Sequence, residues 1–403
     1  MPLDGAAEKG TWLAGGEAAT GSVIFDGPVS WPLLTLSVPA VSHNIAALAG
    51  FSSRHGLEFA PHGKTTMMPD VFRLQLEAGA WGITVANPHQ ASVCRAAGIG
   101  RILLANEVAD EGALRWLVGE HSADPTCQLL LYADSVPGAR LLADAAAAAA
   151  PRRPVSVLVE IGYPGGRAGC RTAGEALSVA AELRTCAHIT VAGIAAYEGS
   201  LELGQVEPFF GRMKDHLHAL HEAGVFAPDR PVTVTVGGSK YFDLVARSWG
   251  REWSPRYRKR VILRSGAYVT HDDLYYDRLT PFRRVPGEGS LRSALTLWAQ
   301  VISAPEPGLA ICGFGLRDTS NDQGNPVPRL LHRAGATGTA ARHQVQKLND
   351  HHAFVEVDPA QPLAVGDVLG FGISHPCTTL DRWRRVAAVD SGHRVLAIWP
   401  TYF

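Results

Sequence analysis

The chain of 403 residues carries almost no net charge: 37 Lys and Arg against 38 Asp and Glu leave −1. Binding to a nucleic-acid backbone demands a basic excess, so that class is set aside. No run reaches the ~18 consecutive apolar residues of a membrane span, and none is expected. The longest bland tract, Ala145–Ala150, stops at Pro151 and reads as the end of a helix. Cys94, Cys127, Cys170, Cys186, Cys312 and Cys377 form no C-x-x-C pair. A disulfide framework is therefore not expected in so large a chain. The opening Met-Pro-Leu-Asp-Gly lacks the basic and apolar stretches of a secretory signal. Free thiols and a cytoplasmic location follow as expectations. With 46% hydrophobic and 19% charged residues, the chain has ample apolar material for a core, which excludes intrinsic disorder.

From residue 57 onward a rhythm sets in. Apolar, β-branched runs at Leu57–Ala60, Trp81–Ala86, Arg101–Ala105, Gln128–Ala133, Val155–Ile161, Ile189–Ala196, Pro231–Val236 and Arg260–Arg264 alternate with segments of helical spacing. Alternation of this kind predicts parallel strands with crossover helices. The count and length predict a (β/α)8 TIM barrel in preference to an open doubly wound sheet. After Pro281 the pattern changes to short β-like runs at Ala294–Ile302, Leu309–Phe314, His352–Val357, Val365–Ile373, Val386–Val389 and Arg394–Ile398. Three regions follow: an N-terminal segment 1–30 expected to pack with the β domain, a barrel over 31–281, and a β-rich domain over 282–403.

Barrels carry their chemistry at the C-terminal ends of the strands. The first strand ends at His62-Gly63-Lys64-Thr65. A lysine there directs its amine into the barrel mouth, where it is either a Schiff-base lysine or a surface lysine. The seventh and eighth strands end at Gly237-Gly238-Ser239 and Ser265-Gly266-Ala267-Tyr268, where barrels often bind phosphate through backbone amides. An aldehyde for the lysine and a phosphate for the glycines together describe pyridoxal 5'-phosphate (PLP). The fifth strand leads to Arg167, a candidate for the cofactor's phenolate oxygen or a substrate carboxylate. The sixth leads to Tyr197, a candidate for the pyridine ring; both are equally readable as packing residues. In the β-rich region, His375-Pro376-Cys377 spaces an imidazole and a thiol as zinc ligands are spaced, or sets a buried thiol beside a structural histidine. Nearby Asn349-Asp350-His351-His352 offers a candidate acid–base histidine, His352, or an exposed turn.

These pieces are similar to a known family. P-H-G-K-T at Pro61–Thr65, E-I-G-Y-P-G-G-R-A-G at Glu160–Gly169, Y-E-G at Tyr197–Gly199, G-G-S at Gly237–Ser239, R-S-G-A-Y at Arg264–Tyr268, L-N-D-H-H-A at Leu348–Ala353 and G-D-V-L-G-F-G-I-S-H-P-C-T-T at Gly366–Thr379 occur in one order along the chain. The sequence resembles the PLP-dependent fold-type III enzymes of the D-threonine aldolase and D-serine dehydratase group, distant relatives of alanine racemase. Its I-S-H-P-C-T-T ending looks closest to the bacterial amino-acid deaminases. The resemblance implies an alanine racemase-like barrel and Lys64 as the PLP lysine. It implies Arg167 beside the cofactor phenolate and the glycine loops, with Gly238, Ser239, Gly266 and Tyr268, as the phosphate cradle, while Tyr197 stays the candidate for the pyridine ring. It implies a divalent metal at His375 and Cys377, and a head-to-tail homodimer. Aldolases of the group carry His-x-Asp, which suits manganese or magnesium; His-x-Cys leans to zinc and dehydration. Ser239 stands where threonine is common, and Ser265 is unusual in its loop, which bears on substrate choice.

The function this predicts is a PLP- and zinc-dependent lyase that converts a D-β-hydroxy amino acid, such as D-serine or D-threonine, to a 2-oxo acid and ammonia. Lys64, His352 and His375 are the catalytic candidates. The alternative is retro-aldol cleavage to glycine and an aldehyde. A racemase lacks a matching second base, and a non-catalytic PLP-binding protein would have no use for the β domain.

Overall fold

The computed structural model describes Lys9, residues 20–27, 29–255 and 257–403. The expectation for the remainder of segment 1–30 lies outside the described residues. The chain packs as two units, one of residues 48–64 and 72–266, the other of residues 1–47, 65–71 and 267–403. Among the described residues no helix is long and apolar enough to cross a membrane.

The first strand, β1 (Leu33–Ser37), runs directly into helix α1 (Val38–Arg54). The continuous apolar stretch hides that boundary in the sequence, because Val38 serves strand and helix alike. Eight strands then follow: β2 (Glu58–Phe59), β3 (Ile83–Val85), β4 (Arg101–Glu107), β5 (Gln128–Ala133), β6 (Val155–Ile161), β7 (Ile189–Ala196), β8 (Val232–Val236) and β9 (Lys259–Leu263). All pair in parallel, in the order β2-β9-β8-β7-β6-β5-β4-β3. The two end strands meet through a bridge between His62 and Thr84 and a bond from the Thr84 amide to the Pro61 carbonyl (2.9 Å). This closure makes the sheet the predicted (β/α)8 barrel. The interior is packed by Ala60, Leu103, Ala105, Leu130, Tyr132, Leu158, Ala195 and Ile262. Helices cover the outside, and local chemistry starts them. Asn87, Asp110 and Ser135 each cap a helix with a side-chain oxygen, and Thr172 with Glu175 forms a reciprocal capping box.

The second unit is built on strands β10 (Leu295–Glu306), β11 (Leu309–Cys312), β12 (Val327–Arg333), β13 (Ala336–Thr339), β14 (Gln344–Leu348), β15 (Ala353–Glu356), β16 (Val368–Gly372), β17 (Arg385–Val389) and β18 (Val395–Pro400). The main sheet runs β13-β12-β16-β10-β1-β17-β18. Strand β1 thus belongs to this sheet, although the sequence reading grouped it with the barrel. It pairs antiparallel with β10 and parallel with β17. Its residues Leu33, Leu34 and Leu36 are fully buried, and Thr35 accepts a hydrogen bond from the Trp298 indole (3.1 Å). Residues 21–24 bond to residues 393–395 of the same unit, and Ile24 joins its core. Packing also assigns residues 267–281 to this unit rather than to the barrel. Strands β12, β13 and β14 escape the sequence pattern: β13 is exposed throughout and the other two alternate with exposed polar residues.

Candidate active site

The barrel strands deliver a polar cluster to their C-terminal ends. Lys64 sits in a single 3-10 turn, Gly63–Thr65, right after β2, and its side chain is exposed. Gly63 is needed there, since a Cβ would meet the Phe72 ring at 2.8 Å. The His62 amide donates to the Ser265 carbonyl (3.3 Å), Ser265 Oγ to the Gly238 carbonyl (3.0 Å), and the Gly266 amide to Ser239 Oγ (3.3 Å). The loops after β2, β9 and β8 are therefore laced together, as the adjacency of these strands requires.

Glu198, fully buried, accepts hydrogen bonds from the amides of Gly237 (3.1 Å) and Gly238 (2.7 Å). The Gly238 amide is thus committed to a carboxylate. Its contribution is the missing side chain, because a Cβ would lie 3.1 Å from the Tyr197 ring. Gly237 holds φ = 97°, the left-handed region that glycine alone enters cheaply. Arg167 is exposed on the loop after β6; its guanidinium lies 4.3 Å from the Tyr197 ring centroid and donates no hydrogen bond to a described residue. A cation over an aromatic face is held in direction while its donors stay available. Tyr268 is fully buried in the other unit.

The cluster is electropositive. Burial, then the charges of Lys64, Arg264 and Arg167, hold His62 well below the usual histidine range. A neutral ring agrees with Nδ1 accepting from the Lys64 amide (3.5 Å). Arg264 is buried and donates to Thr235 Oγ1 (2.8 Å) and the Ala196 carbonyl (2.6 Å). An exposed lysine, an unsatisfied guanidinium, a glycine-lined cradle and a positive field are the features an anionic aldehyde such as PLP requires, so the residues present fit that group.

Sequence reasoning missed Glu160, the penultimate residue of strand β6. Only 3% exposed, it leaves Oε2 without a hydrogen-bond partner among the described residues. Burial, opposed by Arg264, lifts its carboxyl to about 7. The folded protein therefore keeps a proton that the unfolded chain releases near 4.5. This group lowers stability increasingly as pH rises from 4.5 through about 7. Glu160→Gln should raise the unfolding free energy of cofactor-free protein at pH 8 by on the order of 1–3 kcal/mol, with little change at pH 4.5. Thermal unfolding of both proteins at the two pH values checks this; equal shifts at both would refute it.

In the second unit, His375 and Cys377 flank the start of helix α10 (Pro376–Leu380) and lie in hydrogen-bond contact. His375 Nδ1 is 2.6 Å from Asp322 Oδ2, and Cys377 Sγ is 3.5 Å from Thr65 Oγ1. The Cys377 contact, with Asp322 adding and burial opposing, raises His375 to about 9. Thr378 Oγ1 donates to Asp322 Oδ1 (3.1 Å) and is hydrogen-bonded to the Ser320 hydroxyl (2.7 Å), so Asp322 is itself held. Imidazole and thiol are the donor types zinc prefers, and a carboxylate orienting the imidazole is the usual outer support. Among the described residues no three such side chains hold a metal ion by themselves. The pair fits a metal whose coordination water or substrate completes. His352 is exposed at the turn between β14 and β15, and its ring is not hydrogen-bonded to His375 or Cys377.

Comparison with known proteins decides the family. The "Alanine racemase, N-terminal domain" family matches residues 36–240. The chain belongs to this family. Residues 294–389 match the "Putative serine dehydratase domain". A D-threonine aldolase of Arthrobacter sp is 27% identical over 375 residues, covering 90% of each chain. A 3-hydroxy-D-aspartate aldolase of Paracoccus denitrificans is 25% identical over 388 residues, covering 92% of this chain and 91% of the relative. The solved D-threonine aldolase of Filomicrobium marinum superposes with a TM-score of 0.77 at 24% identity, over 93% of this chain and 95% of the other. The alanine racemase-like barrel with a β-rich second unit is therefore that of a fold-type III PLP enzyme.

Proposed function

We propose that this chain is a PLP-dependent lyase that eliminates the β-hydroxyl of a D-β-hydroxy amino acid as water, the released enamine becoming an imine that a water then hydrolyses to a 2-oxo acid and ammonia. The observation that carries the reading is the pairing of His375 with Cys377, the first oriented by Asp322, in a chain whose barrel presents Lys64 and Arg167 at its mouth. The curated relatives support a D-β-hydroxy amino acid as substrate class.

When bound, PLP supplies an electron sink for the charge that develops on the substrate's α-carbon. Lys64 would hold it and then take the proton from that carbon. Arg167 would offer open donors to the cofactor's phenolate oxygen, with its guanidinium held over the Tyr197 ring. Glu198 fixes the glycine loop on which the phosphate would rest, and Ser239 and Gly266 are the remaining loop candidates. His375 and Cys377 would hold a divalent metal, zinc by donor type, and such an ion would supply Lewis acidity for the departing β-hydroxyl. Asp322 keeps His375 turned to its partner. His352 is left as the candidate acid–base group of the resemblance. The reading includes a head-to-tail homodimer, and light scattering should return twice the chain mass.

A second reading, retro-aldol cleavage to glycine and an aldehyde, is favoured by the names of the curated relatives. Purified enzyme loaded with PLP and zinc should be given D-serine, D-threonine and 3-hydroxy-D-aspartate. The proposal expects 2-oxo acid and ammonia in equal amounts. Glycine with an aldehyde would replace it by the second reading.

A further inference from the structure

The loop 162–169, between β6 and helix α6 (Ala173–Leu183), is closed at its base. The Gly162 amide donates to the Cys170 carbonyl (2.9 Å) and the Cys170 amide to the Glu160 carbonyl (2.8 Å). Its tip is a turn at Tyr163-Pro164-Gly165-Gly166, with Gly165 at φ = 77° and the Gly166 amide bonded to the Tyr163 carbonyl (2.8 Å).

Between base and tip, one side chain holds the backbone. Arg171 Nη1 donates to the carbonyls of Ala168 and Gly169 (2.5 Å each), and Nη2 to that of Gly166 (2.6 Å). These carbonyls lie on both sides of Arg167. Asp134 Oδ2 also accepts from the Gly169 amide (2.6 Å). Asp134 is itself fixed, because Glu107 accepts from its amide (2.9 Å) and from Ser135 Oγ (2.8 Å). Arg171 is anchored where α6 begins, its amide on Glu175 Oε2 (2.6 Å). The packing leaves no slack. A Cβ on Gly162 would sit 2.1 Å from both the Ala168 oxygen and Arg171 Nη1, and one on Gly169 would sit 2.4 Å from the Gly162 nitrogen.

Among the described residues, Arg167 itself has no such hold. It is exposed, and the Tyr197 ring is the contact that directs it. A long side chain with several rotamers points reliably only if its backbone is fixed. We propose that Arg171 is a positioning residue: its guanidinium clamps the peptide units flanking Arg167 and thereby aims Arg167 at the anionic oxygen it receives. A planar fork serves three carbonyls at once, which the point charge of a lysine does not reproduce. This inference rests on the reading of Arg167 as a cofactor contact.

The test uses the full chain carrying Arg171→Met, Arg171→Lys or Arg171→Ala. PLP affinity of the cofactor-free protein is read by absorbance titration, and amide exchange by mass spectrometry. Exchange over residues 163–169 should quicken in every variant, with β5, β6 and β7 unchanged. PLP affinity should fall ~10-fold in Arg171→Met and less in Arg171→Lys, and millimolar guanidinium should restore part of it to Arg171→Ala. Unchanged exchange over the loop would overturn the clamp. Arg167→Ala, measured in parallel, separates the two layers. If it weakens PLP binding while Arg171→Met does not, the positioning role fails alone. If Arg167→Ala leaves PLP binding unchanged, the reading of Arg167 fails and takes the positioning role with it.

Discussion

Lys64→Ala protein should lose turnover of D-serine by at least ~10³-fold while melting within a few degrees of the unaltered chain. The amine is exposed at the end of β2, so its removal opens no cavity in the barrel core. Loss of so large a factor is expected because one group is asked both to hold the cofactor and to move the α-proton. The loops after β8 and β9 are laced to His62 by hydrogen bonds that do not involve the lysine side chain, and should keep their arrangement. Borohydride reduction of the PLP-loaded protein followed by peptide mapping should place the label on Lys64. A label on any other lysine, or an active Lys64→Ala enzyme, would refute the assignment.

Cys377→Ala and His375→Ala should each cost ~10²–10³-fold in the same assay and leave PLP affinity within about twofold. The effect is large because two donors are few: losing either leaves one ligand, which does not retain a divalent ion at ordinary concentrations. Chelator added to the unaltered enzyme should reproduce the loss, and added zinc should reverse it. Cys377→Asp should shift the preference toward manganese, an oxygen-seeking ion. Asp322→Asn should cost less, roughly 10–100-fold in metal affinity, because it orients His375 without binding the ion. Metal-free protein that turns over D-serine at full rate in excess chelator would reduce Cys377 to a packed thiol.

The barrel is readable in the sequence because its strands are buried on both faces. Gln128–Ala133, Val155–Ile161 and Ile189–Ala196 are predominantly apolar or β-branched runs, and β5, β6 and β7 occupy those residues. Strands β12–β14 are not readable because their side chains face solvent as often as core, and polar residues then carry no period. The site divides in a similar way. Lys64 and Arg167 stand out because strand order puts them after strand ends. Glu160 and Arg264 announce themselves more quietly, as charged residues closing apolar strands, where only a buried polar layer explains them. Glu198 carries a fainter signal, an acid between Tyr197 and Gly199 that proves fully buried on two glycine amides. Asp322 carries none: it lies in irregular chain far from His375 in sequence, and folding alone pairs them.

The position of β1 has a consequence for the order in which the chain takes shape. Strand β1 is made before any strand it will pair with; β10 and β17 follow only after every barrel strand has been synthesised. Contacts this distant in sequence close late. The barrel can gather its hydrogen bonds while β1 still waits, an open-edged strand whose three leucines become buried only in the finished sheet. The same arrangement governs where the gene can be divided. A piece beginning at Ala267 would hold β10 and β17 with nothing between them, and the sheet would part into two halves at that gap. A synthetic peptide spanning residues 31–37, supplied in trans, is the missing stave.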